Sequence, residues 1–391
     1  MERIYLDNGA STKLHPDVLA AMLPHWTENY GNSSSHHEFG RMASRALETA
    51  RADIAEQLGA ADAEEIVFTG CGSESDNLAL RGVVLAARAN GQGNHLITSC
   101  IEHSAILQTA IQLRDHFNFD LTILPVNEQG QVDPDDLEAA LRPDTILVSI
   151  MAANNEVGSL QAIEKLGRLA QANGALFHTD AIQAIATRCW DLANQPIDLL
   201  SIAPHKFYGP KGVGVLYVRD GIELVSSLTG GGHENGRRAG TVNVPFAVGG
   251  AKAIELAMRD VHDNVAHYQK LRDRLIDGVL NAIPADDVIL TGHPTERLPH
   301  HASFAFRNLS GNDLLMHLDM KGIAASSGSA CKSGNPKPSA TLEAIGLAPE
   351  WTKGGLRLTV GRHNTAADID YAVETITAVV KKLRKLQMMF A

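Results

Sequence analysis

Cysteine is scarce in this sequence, and its few positions exclude two classes of protein. The 391 residues include four cysteines, which stand far apart at Cys71, Cys100, Cys189 and Cys331. Disulfide frameworks belong mainly to short secreted chains with closely spaced cysteines, so we expect none here. The 17 histidines show no HExxH spacing, and no cysteines form a CxxC pair. We therefore predict no metal site.

Long apolar runs are also missing. No stretch reaches the ~18 apolar residues that a membrane helix needs. The segment from Met1 to Asp7 has no apolar core of the kind that a signal peptide carries. One of the most apolar regions, 239–258, still contains Lys252 and Glu255. We expect a cytoplasmic protein in a reducing compartment, without a membrane partner.

Positive charge is in deficit. The sequence has 45 acidic residues against 34 lysines and arginines, for a formal net charge of −11. A net negative charge disfavours contact with a phosphate backbone, so we expect no direct binding of nucleic acid. With 44% hydrophobic and 20% charged residues, the chain has the composition of a globular protein and can bury a large core.

The order of the predicted elements indicates an α/β fold. Between residues 65 and 218, short apolar runs alternate with segments of helical periodicity. This alternation predicts a mostly parallel sheet with helices on both faces. After residue 218 the alternation stops and long helical segments dominate. We predict a large domain over residues 16–255 and a smaller α+β domain made of residues 1–15 and 256–391.

One lysine lies where ligands usually bind. The stretch Ser201-Ile-Ala-Pro-His-Lys-Phe-Tyr-Gly-Pro-Lys-Gly212 follows an apolar strand and places Lys206 at the strand's end. In α/β sheets, ligands bind at the carboxyl ends of strands. A lysine there whose pKa is lowered can form a Schiff base with an aldehyde. The alternative is a solvated surface lysine, the commonest environment of this residue.

Two other strand ends carry polar motifs. In Thr69-Gly-Cys-Gly-Ser-Glu-Ser-Asp76, Gly72 and Ser73 open a helix whose N–H groups can hold a phosphate, although a plain helix cap has the same pattern. Asp180, followed by Gln183, can pair with a cationic ring nitrogen or cap a helix. A phosphate cradle, a strand-end acid and a strand-end lysine are together what pyridoxal phosphate requires.

A fourth motif supplies a thiol. Ser326-Ser-Gly-Ser-Ala-Cys331 and the following Lys332 form a run of small and polar residues with nothing large to bury a side chain. Buried cysteines are usually inert. We expect Cys331 to lie instead on a mobile loop, as an exposed nucleophile.

These motifs resemble the cysteine desulfurases, a group within the class V aminotransferase family of fold type I pyridoxal-phosphate enzymes. The resemblance covers essentially the whole chain. It is carried by Tyr5-Leu-Asp7, Glu74-Ser-Asp-Asn-Leu78, Glu102-His103, Asn154-Asn-Glu156, His178-Thr-Asp180, His205-Lys206, Gly230-Gly-Gly-His-Glu234, Arg238-Ala-Gly-Thr241, Ser326 to Cys331 and Leu356-Arg-Leu358. It implies a mostly parallel seven-stranded sheet in the large domain.

The resemblance also implies an activity. L-cysteine would be converted to L-alanine, and its sulfur would pass to Cys331 as a persulfide and then to an acceptor or scaffold protein. The enzyme would be a homodimer. Lys206 would hold the cofactor and move protons, and His103 would stack on the cofactor ring and act as acid and base.

The remaining implied roles concern binding. Within one chain the cofactor would be bound by Gly72, Ser73, Asn155, Asp180, Gln183, His205 and Lys206. Thr241 of the partner subunit would join them. The substrate carboxylate would be bound by Arg357, in a bidentate pair, and by Asn32.

The sequence departs from the family pattern at the phosphate cradle. Gly72-Ser73 stands where most relatives have Ala-Thr. Serine keeps the hydroxyl that threonine supplies in those relatives. Ala203 stands where many have Ser or Thr, which removes one expected phosphate donor. Selenocysteine lyase, another class V lyase and a non-catalytic sulfur-carrier scaffold remain alternatives. The motifs also leave the sulfur acceptor open among iron–sulfur cluster assembly, tRNA thiolation and DNA sulfur modification.

Overall fold

The computed structural model describes residues 3–327 and 338–390 of the 391-residue chain. Within these ranges the strands are β1 (Ile4–Tyr5), β2 (Ile66–Thr69), β3 (His95–Ser99), β4 (Asp120–Leu124), β5 (Thr145–Ser149), β6 (Leu176–Asp180), β7 (Leu199–Ile202), β8 (Gly214–Val218), β9 (Val288–Leu290), β10 (His301–Phe306), β11 (Ile323–Ala324) and β12 (Gly355–Thr359).

The α-helices of the same ranges are α1 (Pro16–Met22), α2 (Pro24–Thr27), α3 (Glu38–Leu58), α4 (Gly72–Ala89), α5 (Ser104–Phe117), α6 (Pro134–Ala140), α7 (Ile163–Ala172), α8 (Val244–Arg259), α9 (Val261–Ala282), α10 (Gly311–Asp319), α11 (Ala340–Ala344), α12 (Pro349–Thr352) and α13 (Ala366–Phe390). No helix of the described residues is long and apolar enough to cross a membrane.

A seven-stranded sheet forms the centre of the large part of the molecule. Its strand order is β2-β8-β7-β6-β5-β3-β4. Neighbouring strands are parallel except at β8, which is antiparallel to both β2 and β7. The predicted α/β fold with a mostly parallel seven-stranded sheet is confirmed.

Alternating side chains bury both faces of this sheet. In β2, Ile66 and Phe68 belong to the core shared with α1, α3, α7 and α8, whereas Val67 points to the opposite core, shared with α4 and α5. Because both faces are covered, the strands read as continuous apolar runs instead of alternating with polar residues. The helices therefore cover the faces and leave the strand ends open.

A second core lies in the smaller part of the molecule. There the antiparallel sheet β12-β10-β9 packs with α9, α10 and α13 around Phe304, Leu358 and Ile376. Strand β1 pairs with β11, and Asp7 bridges to Thr359 of β12, which joins the N-terminus to this second core. The proposed domain limits at residues 15 and 255 stay a prediction.

Candidate active site

Three of the predicted motifs meet at one edge of the seven-stranded sheet. Asp180 ends β6 and pairs in register with Ser201 of the neighbouring parallel strand β7, which Lys206 follows in a short 3₁₀ turn. Gly72 begins α4 and lies close to residues that directly follow β6 and β7. A Cβ placed on Gly72 would lie 2.5 Å from Cδ1 of Ile182 and 3.1 Å from Cβ of Ala203. Glycine leaves room here, and a larger residue would require the Ile182 side chain to shift.

Lys206 points into the gap between the two cores. Its Nζ donates hydrogen bonds to the carbonyl oxygens of Gly9, at 2.8 Å, and Ala10, at 2.9 Å. Burial, and then the positive charge of Arg357, lower the pKa of Lys206 to about 8. With this pKa, roughly a tenth to a fifth of the amine is neutral near physiological pH, far more than for an ordinary lysine. The neutral amine is the nucleophilic form.

The Asp180 carboxylate is fixed and buried. Its Oδ1 accepts a hydrogen bond from the N–H of Ile182 at 2.9 Å, and 6% of the residue is exposed. Burial raises the pKa of Asp180, and the Ile182 N–H and the charges of His103 and Lys206 oppose that shift. A buried carboxylate of this kind gains most when a cation pairs with it. Asp180 is thus suited to the protonated nitrogen of a pyridine ring.

Gln183 and His205 line the same edge through contacts with the N-terminal loop. Gln183 Nε2 donates to the Gly9 carbonyl at 3.0 Å, and His205 Nδ1 lies 3.2 Å from Ser11 Oγ. Burial, followed by the charges of Lys206 and Lys211, lowers the pKa of His205 to about 4. A neutral imidazole results, which can donate one hydrogen bond.

The start of α4 has the form of an anion cradle. The side chain of its N-cap residue, Cys71, makes no capping hydrogen bond to the described residues of this turn. Ser73 is exposed and Gly72 is buried. The N–H groups and the positive dipole end of such a turn favour an anion. The cradle, the Asp180 carboxylate and the Lys206 amine together match the phosphate, ring nitrogen and aldehyde of pyridoxal phosphate.

His103 and Asn155 enter the site from two loops. His103 caps α5, where its Nδ1 accepts a hydrogen bond from the Ala105 N–H at 3.2 Å, and its ring is exposed. Buried Asn154 shapes the turn that holds Asn155, because its Oδ1 accepts from the N–H groups of Glu156 and Val157. The Asn155 carbonyl accepts from Arg357 Nη1 at 2.8 Å.

Arg357 is the cation of the site, and its fork is already partly engaged. Its Nη2 pairs with Asp7 Oδ1 at 2.9 Å, and its buried Nε has no hydrogen-bond partner among the described residues. The Arg357 main chain exchanges hydrogen bonds with Ser326, at 2.7 and 3.1 Å. Cys331 itself lies outside the described residues, but the described segment that leads toward it runs beside Arg357.

Two predicted residues stand apart from this cluster. Asn32 is exposed, and within the described part of the chain its side chain hydrogen-bonds only the Ser34 N–H, at 2.9 Å. Thr241 is exposed on the loop that precedes α8. The structure of one chain does not bring either residue into hydrogen-bond contact with Lys206, Asp180 or Arg357.

Three carboxyl groups near the site received no role from the sequence. Asp7 holds Arg357 from a polar loop near the N-terminus. Asp76, on α4, is fully buried without a hydrogen-bond partner among the described residues, and burial together with Asp180 raises its pKa well above the usual range. Burial raises the pKa of Glu102 to about 8, although Ser99 Oγ donates to it at 2.6 Å. All three stand within motifs that carry the family resemblance, but those motifs assigned them no role.

Comparisons with known proteins agree with this geometry. The aminotransferase class-V family model matches residues 4–372. Cysteine desulfurase IscS of Methanosarcina thermophila is 46% identical over 98% of this chain and 93% of its own. Cysteine desulfurase IscS of Dictyoglomus turgidum is 43% identical, with coverages of 98% and 96%. A solved NifS-like protein superimposes with a TM-score of 0.90 at 34% identity, over 97% of this chain and 99% of that one.

The matches therefore span both cores, the cradle and the Lys206 turn, and no large part of the chain falls outside them. The chain belongs to the class V aminotransferase family, and within it to the pyridoxal-phosphate-dependent cysteine desulfurases.

Proposed function

We propose that this cysteine desulfurase binds pyridoxal 5'-phosphate through Lys206, at the sheet edge that also holds Asp180 and Gly72. One observation carries the proposal. A lysine amine with a pKa of about 8, a buried carboxylate and an uncapped helix N-terminus converge on one gap. Each feature is common alone, but together they match the three functional groups of one cofactor.

Pyridoxal phosphate, when bound, withdraws electrons from the substrate amine and so weakens the bonds around the substrate's α- and β-carbons. The chain's own residues do the rest. Ser73, His205 and the first N–H groups of α4 would hold the phosphate, and Asp180 would keep the ring nitrogen protonated. Gln183 and Asn155 would hydrogen-bond the polar edge of the ring.

Proton transfer falls to two side chains in this proposal. Lys206, neutral in part because its pKa is about 8, can accept a proton from the substrate α-carbon and return it. His103, exposed at the start of α5, can protonate or deprotonate the substrate from the side that faces solvent. Both groups lie within the electrostatic reach of Asp180.

Arg357 would bind the substrate carboxylate. Its guanidinium is positioned by Asp7 and the Asn155 carbonyl, which leaves hydrogens of the fork to point at a carboxylate. Asn32 would assist. Cys331 would attack the substrate sulfur as a thiolate, so that a sulfur–sulfur bond forms while the carbon–sulfur bond breaks. The substrate's β-carbon then takes a proton, and the product leaves as L-alanine. The persulfide sulfur would pass to an acceptor or scaffold protein.

A homodimer is part of the proposal. The segment from α1 to α3, and the loop after β8, expose several large apolar side chains, which are Leu19, Leu23, Trp26, Tyr30, Phe39, Met42, Val225 and Leu228. Of these, Tyr30 and Phe39 pack against each other with ring centroids 5.5 Å apart, and exposed apolar side chains in mutual contact are typical of a protein–protein interface. Asn32 lies within the first of these segments, and Thr241 follows the second. A second chain placed there would complete the site with these two loop residues.

The proposal is tested with purified protein in one cuvette. We expect absorbance near ~420 nm, typical of lysine-bound pyridoxal phosphate, and a change in it when L-cysteine is added. Alanine and sulfide should then form in equal amounts in the presence of a thiol reductant. Cys331→Ser should keep the absorbance and lose sulfide release, whereas Cys189→Ser, at an exposed cysteine, should keep both. Absence of the band, or full turnover by Cys331→Ser, would contradict the proposal.

A further inference from the structure

Strand β2 is the edge strand that leads into the phosphate cradle. It stands first in the seven-stranded sheet, and β8 is its partner. An edge strand leaves every second pair of main-chain groups without a neighbouring strand. On the outer side of β2, three main-chain groups are bound by charged side chains. They are the carbonyl of Ile66 and the N–H groups of Phe68 and Gly70.

The first two groups are bound by one buried ion pair. Arg51 and Glu234 form two hydrogen bonds, at 2.8 and 2.9 Å, with 8% and 1% of their side chains exposed. Arg51 Nη1 also donates to the Ile66 carbonyl at 2.5 Å, and Glu234 Oε2 accepts from the Phe68 N–H at 2.8 Å. The pair offers a donor and an acceptor side by side, as a neighbouring strand would.

The third of these groups, the Gly70 N–H, is bound by a second ion pair. Glu74 Oε2 accepts from the Gly70 N–H at 2.6 Å, and Arg238 Nε donates to Glu74 Oε1 at 2.7 Å. Gly70 and Glu74 lie on either side of the cradle residues 71–73. The two carboxylates therefore fix the main chain where β2 leaves the sheet and α4 begins.

Both pairs draw on a single loop, residues 229–241. Glu234 and Arg238 come from this loop, which also carries Thr241. Glu234 and Asn235 have φ angles of 50° and 53°, in the left-handed region that residues other than glycine rarely adopt. Such a conformation persists only when the surrounding contacts hold it in place. The hydrogen bonds of the Glu234 carboxylate with Arg51 and the Phe68 N–H are among these contacts.

We propose that Glu234 and Glu74, with Arg51 and Arg238, are positioning residues for the cofactor phosphate. They hold the β2–α4 turn in the shape that binds the phosphate, and they tie that turn to the loop bearing Thr241. A buried ion pair is a weak source of stability because its charges lose their hydration, so its main effect here is on geometry. The inference rests on the proposed function, since the ligand of the turn is the cofactor's phosphate.

The test compares two ligands that differ only in the phosphate. The full chain is stripped of cofactor, and dissociation constants for pyridoxal phosphate and pyridoxal are measured for Glu74→Gln and Glu234→Gln. We expect pyridoxal phosphate to bind about tenfold more weakly, or worse, as when a hydrogen bond to a charged group is lost. Pyridoxal should bind within about twofold of the unaltered chain, because its ring contacts are unchanged.

A matched control exists on the same sheet. The buried Asp198 carboxylate also accepts a strand N–H, that of Phe177 at 2.8 Å, and it pairs with Arg219 at 3.4 Å. Asp198→Asn removes the same kind of interaction away from the cradle. It should leave the ratio of the two dissociation constants as it is in the unaltered chain, whatever its effect on stability.

A further variant guards against misfolding. Glu234→Gln leaves the buried Arg51 with a weaker partner, so Arg51→Met combined with Glu234→Leu removes both charges and keeps the volume apolar. This double variant should fold and show the same selective loss for pyridoxal phosphate. An equal change for both ligands, or none, in the folded variants overturns the inference. Failure of the unaltered chain to bind pyridoxal phosphate overturns the proposed function instead.

Discussion

Two sets of predicted site residues differ in burial. Asp180, Lys206 and Gly72 follow strands of one sheet, are buried or half-buried, and meet within one chain. Asn32 and Thr241 stand on loops, are exposed, and make no hydrogen bond to that cluster. In the proposed function, the sheet of one chain would build the part of the site that activates the cofactor. The loop residues would need a second subunit before they could act.

Burial also shifts the pKa values of the strand-end residues Lys206 and Asp180. Removal from water lowers the pKa of Lys206 and raises that of Asp180, and each shift depends on contacts that one chain supplies. The exposed loop residues gain nothing of this kind from their surroundings. Substitutions in the first group should therefore abolish activity, whereas those in the second should weaken binding and depend on subunit contact.

Loss of the Lys206 amine should have the largest effect. Lys206→Ala removes the attachment point for the cofactor and a proton carrier, so turnover of L-cysteine should fall by about 10⁴-fold or more. The absorbance near ~420 nm should vanish as well. Lys211→Ala is the control, because Lys211 is exposed five residues later. An unchanged band in the Lys206 variant would assign the attachment to another lysine.

Loss of the Asp180 charge should come next. Asp180→Asn can still accept the Ile182 N–H, but it no longer stabilises a protonated ring nitrogen. We expect turnover to fall by about 100-fold, which corresponds to about 2.7 kcal/mol of transition-state stabilisation. Asp191→Asn, at an exposed carboxylate, should have no effect. Full activity of the Asp180 variant with the cofactor still bound would place the ring nitrogen elsewhere.

The same contrast explains which parts of the fold and site the sequence revealed. Strands β3 and β10 and helix α5 coincide with local apolar patterns that the sequence shows directly. Lys206, Asp180 and Gly72 were visible as candidates because each follows a strand with a turn signal. Their grouping then followed from sheet topology, since neighbouring parallel strands open at one edge.

Contacts between residues far apart in the chain could not be predicted from the sequence. The ion pair of Asp7 with Arg357 joins residues 350 positions apart, and β1 and β11 are two-residue strands that only tertiary pairing defines. The sequence predicts a long helical region from about 244 to 283 with breaks, but it does not locate them. The break lies at Asp260, between α8 and α9, where no proline or glycine marks it. Asp76 is buried because of how α4 packs. Its polar sequence neighbours gave no indication of that burial.

A smaller effect is expected from pH. In the proposed function the neutral Lys206 amine would attack the cofactor aldehyde, and its pKa of about 8 lies below the usual value for lysine. The rate of pyridoxal phosphate attachment should therefore rise about tenfold from pH 7 to pH 9 and then level off. Arg357→Met removes a positive charge that lowers this pKa, so the midpoint should move to higher pH. A midpoint that stays near 8 in this variant would contradict the role of Arg357.

The smallest effect, and the sharpest test of the two groups, concerns Thr241. Thr241→Ala should weaken pyridoxal phosphate binding by about three- to tenfold, the loss of one hydrogen bond. If Thr241 acts on the partner's site, a mixed dimer of Thr241→Ala and Lys206→Ala chains contains one intact site, with Lys206 from the first chain and Thr241 from the second. Its affinity per lysine should equal that of the unaltered enzyme. If Thr241 acts within its own chain, every site that keeps Lys206 lacks the hydroxyl, so the weak binding persists and the exposed loop needs no second subunit.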